Sequence, residues 1–431
     1  MKRTVFAFFF LLLAVCGNSQ VLTLQEAIDI ALKNNLDIEI ARNNFEASGI
    51  NNHISIAGGL PEVTGSFTNR ESLTTLNQKL NNGTTIKRPG NLTNALNSGI
   101  EGNYLLFNGW RVRTTRQRLE ALERQSEVQI NLQVQNVVAA VMVKYYDIVR
   151  QDSYINTIQQ SIAVTQQRKK LVDARQSVGL ANNADTYQAQ LDLTASQQEL
   201  LSQDLILTQA KADLMNLLMQ RPDSIFIVKD TIIADRDVTI DQVKNNLLNN
   251  PEFRSADQQI LINELIVKEI GAQRYPSVGV LGGFNYNRNQ STAGFTLLNQ
   301  NAGPFVGLTV QVPIFNGGIA KRQQRIAQID VKNATLTRDR LENDLETFAF
   351  KAFLAYQNTL QRLQVEQENS KIAADLLDLV QQRFLLGVGT IVDVREAQRS
   401  FVEAGFRLVN LAYAAKVSEI ELKRLASQLR P

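Results

Sequence analysis

Two periodicities alternate along the chain, one of three to four residues and one of two, and each appears twice. The longer period is clearest at Ile130, Val134, Val137, Val141, Tyr145 and Ile148, and it resumes at Ile155, Ile158 and Ile162. Steps of three and four keep apolar side chains on one face of a helix. Neither Gly nor Pro interrupts the chain from Trp110 to Val178, or from Ile319 to Leu386. The pattern predicts long helices over 110–178 and 318–386 and returning helices over 184–220 and 392–429. At about 1.5 Å per residue, each long helix spans roughly 100 Å. No single globular core is that wide, so most of the surface must meet other long helices or water. Shorter helices open at Thr23 and Thr239, both good N-caps.

The two-residue period predicts four strands, over 62–69, 98–107, 277–287 and 305–314. Val63, Gly65 and Phe67 alternate with Thr64, Ser66 and Thr68, and Ile100, Gly102, Tyr104 and Leu106 alternate with Glu101 and Asn103. In the second half Val278, Val280, Phe284 and Tyr286 form one set, and Val306, Leu308, Val310 and Val312 form its partner. The stretches between, Arg70 to Asn97 and Arg288 to Pro304, are rich in Asn, Thr and Ser and read as loops. Such alternation fits a lipid-facing barrel strand. A soluble sheet packed on one face has the same period, but no other amphipathic element is left to cover it. Four strands cannot close a barrel, and open edges are not tolerated in lipid. Two copies supply eight strands, which side chains fill; three supply twelve and leave a lumen. The strands therefore predict an oligomer, and a conducting one prefers at least three copies.

The halves are duplicates. Phe107-Asn108-Gly109 recurs as Phe315-Asn316-Gly317, Gly179 as Gly387, Asp185 as Asp393 and Ala189-Gln190 as Ala397-Gln398, all at an offset of 208 residues. The offset is 215 at Pro61 and Pro276, a difference assigned to the intervening loop. The organisation is a first repeat over 20–220, a linker over 221–238 and a second repeat over 239–431. Asn108, Gly109, Asn316 and Gly317 stand where a strand becomes a long helix. Asn caps helices well, and Gly permits a sharp change of backbone direction.

Lys2 and Arg3 precede an apolar run from Val5 to Val15, followed by Gly17, Asn18 and Ser19. This is the layout of a signal peptide over 1–19, and the run is about half the ~20 residues of a spanning helix. Cys16 admits a lipoprotein reading, although Val15 stands where such sites want a small residue. The signal argues against a cytosolic coiled-coil rod. The chain has one cysteine and one histidine, His53, so disulfide frameworks, thiolate metal sites and most Ser/His or Cys/His chemistry are excluded. Met142, Met215 and Met219 are too few for a copper route and read as core. With a formal charge of +3 and mixed signs, no stripe suits nucleic acid. No cofactor, metal site or catalytic constellation is visible.

The opening Leu24-Gln25-Glu26-Ala27, the paired Phe-Asn-Gly turns and the paired Gly…Asp turns resemble the TolC outer-membrane efflux family over essentially the whole mature chain. That resemblance implies a mainly α fold with a membrane β-barrel portion: a homotrimer with twelve strands and a periplasmic α-barrel. It implies a passive exit duct in the Gram-negative outer membrane. The duct docks through a periplasmic adaptor to an inner-membrane transporter of the RND, ABC or MFS type. Val178, Gly179, Leu180 and Ala181, with Leu386, Gly387, Val388 and Gly389, match the adaptor-contacting tip. Asp393 and Glu396 match the acidic aperture positions, with Asp185 as first-repeat partner in the gate. Simple helix capping is the competing role for Asp185 and Asp393. Phe384 and Gly389 replace a gate-locking Tyr and Arg, so those locks are absent. A one-step protein secretion duct would share the fold, and a non-conducting envelope spacer is the alternative of another class.

Overall fold

A computed structural model describes residues 20–429. The expected signal peptide, with Cys16, lies outside the described residues. In chain order the elements are β1 (Gln20–Val21), α1 (Leu24–Asn34), α2 (Leu36–Asn51), β2 (Glu62–Lys79), β3 (Thr85–Asn108), α3 (Arg111–Ser177) and α4 (Asn183–Leu217). The chain continues through β4 (Phe226–Ile227) in the linker to α5 (Ile240–Asn246), α6 (Pro251–Ala272), β5 (Ser277–Ser291), β6 (Leu298–Gln311), α7 (Ile319–Leu385) and α8 (Ile391–Leu425) of the second repeat. The repeats match in their long elements: α3 and α7 have 67 residues each, α4 and α8 have 35. Thr23 and Thr239 cap α1 and α5 through reciprocal capping boxes with Glu26 and Gln242. No described helix is long and apolar enough to cross a membrane.

The residues divide into two compact units. One comprises residues up to Glu39, Asn131–Asn250 and Asn343 onward. Its core takes the apolar stripe of α3 (Val137, Val141, Tyr145, Ile148) against Ile28, Ile38, Leu214, Leu218 and Ile420. The Tyr145 hydroxyl donates to the Leu22 carbonyl at 3.2 Å, and burial, seconded by the Asp230 charge, pushes this phenol up to about 12. Residues 221–238, read as a linker, are integrated here: β4 pairs in parallel with β1. Further along, the Asp235 N–H donates at 2.9 Å to Glu419, a buried carboxylate also bonded by Lys416 and Lys423.

The other unit comprises Ile40–Ile130 and Pro251–Glu342 and holds a four-stranded antiparallel sheet in the order β2-β3-β5-β6. Directly paired residues project to one face. Val63, Gly102, Gly282 and Val306 form one row, and Gly65, Ile100, Phe284 and Pro304 the next. Tyr104, Val280 and Leu308 extend the same face across β3, β5 and β6. The opposite face carries Thr64, Ser66, Glu101, Asn103, Asn285 and Thr309. Leu105, Leu281 and Phe305 also lie on that opposite face, but the first face is the more continuously apolar, with Val306 83% and Leu308 66% exposed.

The structure departs from the strand expectations in three ways. First, the supposed loops are mostly strand: β2 continues to Lys79 and β3 starts at Thr85, while β5 reaches Ser291 and β6 starts at Leu298. Polar residues do not stop a strand when they pair across it, as Asn94 does with Asn69 at 2.9 Å. Pro89 and Gly90, which suggest a break, sit where the β2–β3 register shifts, and Gly90 has φ +72. Second, β6 ends at Gln311, so Val312 lies past the sheet. Third, a bulge at Leu106 interrupts the alternation, and Phe107 takes the place opposite Val278.

Candidate functional site

The expected tip residues lie in two like turns of the first unit. After α3, the Leu180 N–H donates to the Arg175 carbonyl (2.8 Å) and the Gly179 N–H to that of Gln176 (3.0 Å). After α7, Val388 and Gly387 donate to Arg383 and Phe384, both at 3.1 Å. Both are Schellman motifs, which require a left-handed residue, and Gly179 (φ +74) and Gly387 (φ +82) supply it. The turns hold Val178, Leu180, Leu386 and Val388 outward, each between 67% and 80% exposed. Ala181 packs inward against the cluster of Val172, Ala189, Phe384 and Val394. A Cβ on Gly389 would lie 3.0 Å from the Phe384 nitrogen, so the turn is tight there.

Asp185 and Asp393 are not the N-caps themselves; Asn182 and Thr390 are. Each Asp closes its capping box three residues on. Asn182 N–H donates to Asp185 at 3.2 Å, and Thr390 N–H donates to Asp393 at 3.0 Å. The Thr390 N–H, then its hydroxyl, holds the Asp393 carboxyl below the usual range. Asp393 and Glu396 are both exposed on α8, and Asp185 is half-buried.

Phe384, standing where a Tyr lock was expected, is buried at 4% exposure. Arg175 reaches it from α3, donating to its carbonyl at 2.9 Å with the guanidinium 4.9 Å from the ring centroid. One arginine thus ties the ends of α3 and α7 together. Further from the turns, a buried polar layer joins three helices. Gln398 of α8 donates to the Ser161 carbonyl (2.9 Å) and to the Ser161 and Thr165 hydroxyls (2.6 Å each). Arg168 of α3 bridges Asp192 of α4 at 2.6 Å. The sequence reading missed Arg168, Arg175 and Asp192. Gln398 appeared there only as a member of the repeat.

The junction residues belong to the other unit. The Asn108 side chain accepts from Val112 N–H at 3.3 Å, capping α3, and Gly109 follows at φ +69. At the second junction Asn316 accepts through its carbonyl, from Ile319 at 3.3 Å. Gly317 and Gly318 both have positive φ there, and Arg322 donates to the Gly317 carbonyl at 2.7 Å. The counterpart of Gly318 in the first repeat is Trp110, at φ +66.

A family model described as outer membrane efflux protein matches residues 27–219 and 243–428. The outer membrane protein TolC of Vibrio cholerae serotype O1 is 21% identical over 325 residues, 72% of either chain. The outer membrane efflux protein BepC of Brucella suis biovar 1 is 20% identical over 403 residues, 93% of this chain and 84% of that one. Among solved structures, the CmeC outer membrane channel of Campylobacter jejuni superposes with a TM-score of 0.77 at 16% identity, covering 95% of this chain and 87% of its own. CusC does so at 0.75 and 17%, covering 94% and 91%. The structural likenesses establish the fold, and the family match spans both repeats. The chain belongs to the outer membrane efflux protein family and is an outer-membrane efflux channel.

Proposed function

We propose that this channel is the passive exit duct of a tripartite system. It would receive small molecules from an energised inner-membrane transporter of the RND, ABC or MFS type through a periplasmic adaptor. The observation that carries the reading is the four-stranded sheet. Its apolar face crosses all four strands, and its outer strands, β2 of 18 residues and β6 of 14, have no outward neighbour among the described residues. Lipid offers no partner to the N–H and C=O groups of an open edge. Three copies close twelve strands around a passage, so the duct is a homotrimer with its apolar strand faces on outer-membrane lipid.

The two Gly turns are the adaptor contact, because each presents a pair of exposed apolar side chains on a rigid Schellman frame. Asp393 and Glu396, three residues apart and both exposed, share a face of α8 and line the aperture, with Asp185 as their first-repeat partner. Arg175 on Phe384 holds the helix ends in place of the missing Tyr and Arg locks.

The test is native mass measurement in mild detergent, coupled to an export assay. A trimer is expected, and the Leu180→Asp, Val388→Asp double variant should lose export while remaining trimeric. A stable monomer that supports export overturns the duct. A double variant that exports normally overturns the adaptor contact.

A further inference from the structure

Trp110 is an expensive residue for its position. A bulky side chain at φ +66 is strained, and the second repeat places Gly318 at the same point. Burial does not offset that strain: Trp110 is 67% exposed, with the Phe107 ring edge-on at 5.7 Å. A cavity of about 470 Å³ opens beside it, within the roughly 300–1,000 Å³ range of ligand pockets. Tyr104, Phe107 and Trp110 form its apolar wall, Arg113 and Arg116 line it as well, and none of its lining residues is acidic. Asn108, also on the wall, has a buried side-chain N–H₂ group with no partner.

The apolar wall continues the lipid-facing sheet surface, since Tyr104 pairs with Val280 and Phe107 with Val278. Along the chain from Tyr104 to Arg116 the order is apolar strand, aromatic pair, then cations. That is the order a phospholipid presents from acyl chain to phosphate, with Trp and Tyr at the interface. Guanidinium groups bind phosphate through charge-assisted hydrogen bonds. Arg116 donates to the Asn52 carbonyl, which fixes its position on the cavity wall. The second junction keeps Phe315 and the cations Lys321, Arg322 and Arg325, but Gly replaces Trp there and Arg322 bonds its own turn.

We infer that the β3-to-α3 junction binds an anionic phospholipid of the periplasmic leaflet, one per protomer, with Trp110 along the acyl chain and Arg113 and Arg116 on the phosphate. This rests on the sheet being a membrane barrel. It identifies a lipid ligand of the first repeat alone and gives the strained Trp110 its use.

The test is native mass spectrometry of the full-length channel with added dioleoyl phosphatidylglycerol or dioleoyl phosphatidylcholine, with vesicle insertion measured on the same sample. Wild type should retain the anionic lipid in preference. Arg113→Gln should weaken retention about tenfold, as expected for loss of one charged hydrogen bond. Trp110→Gly should also weaken it, yet leave the thermal midpoint without lipid unchanged or higher, because the strain is gone; a merely structural Trp would lower it. Retention by both variants equal to wild type, or displacement of the lipid by equimolar inorganic phosphate, overturns the lipid site while normal insertion leaves the barrel standing. Failure of wild type to insert overturns both.

Discussion

Glycines at the two kinds of turn do different work. A Cβ on Gly109 would lie 2.7 Å from both the Ala272 carbonyl oxygen and the Tyr275 Cβ, at φ +69. A Cβ on Gly179 would meet nothing within 4 Å, at φ +74. Ala at Gly179 therefore costs only the left-handed strain, about 1–2 kcal/mol. Ala at Gly109 adds an overlap with backbone, for which overpacking suggests about 1–3 kcal/mol more. Thermal unfolding in detergent should show a clearly larger drop for Gly109→Ala than for Gly179→Ala; equal drops would mean that the junction relaxes freely. These glycines were legible in the sequence because a turn after a Gly-free run needs left-handed backbone. Arg168 and Asp192 were not. Each looks like an ordinary solvated charge on its own helix, and only the packing of α3 against α4 and α8 buries them as a pair.

Among elements, the helices were easier to read than the strands, for a physical reason. An uninterrupted run without Gly or Pro leaves a helix no place to end, so α3 and α7 fall within a residue or so of their expected ends. A strand has no such punctuation, and its polar continuation looks like a loop. The alternation near the middle of β6 is nonetheless sharp enough to test. Leu308 pairs with Val280 on the apolar face, and Thr309 pairs with Gly279 on the other. A cation facing the bilayer midplane costs about 2–4 kcal/mol, whereas one facing a wet lumen costs little. Leu308→Arg should impair assembly into the membrane and Thr309→Arg should not, as judged by heat-modifiable migration of the assembled barrel. The reverse outcome would invert the two faces.

At the scale of the whole assembly, ion selectivity depends on how charge is held at the proposed aperture. In the proposed trimer Asp393 and Glu396 would recur as stacked rings, and such rings select cations. Two effects act on Asp393 in opposite directions. Its own Thr390 N–H, bonded at 3.0 Å, holds the carboxyl below the ordinary value of 3.8. Like charges across the ring push it up, but over a water-filled opening they are screened within about 8 Å. The bonded contact wins while the aperture is wide. A folded-state value below the unfolded one means that the capping stabilisation is present above the unfolded value and is lost as pH falls through the folded one. The Asp393 share of the ring charge should follow the same course. Reversal potentials across planar bilayers should therefore show cation preference at about pH 7 that persists to about pH 5 and disappears only below the ordinary carboxylate value. Asp393→Asn with Glu396→Gln should abolish the preference at every pH. Wild type without cation preference, or a double variant that matches it, would leave these residues as caps and surface charge only. A preference that already fades between about pH 6 and pH 5 would mean that the carboxylates sit close enough for repulsion to outweigh the Thr390 bond, and that the resting aperture is narrow.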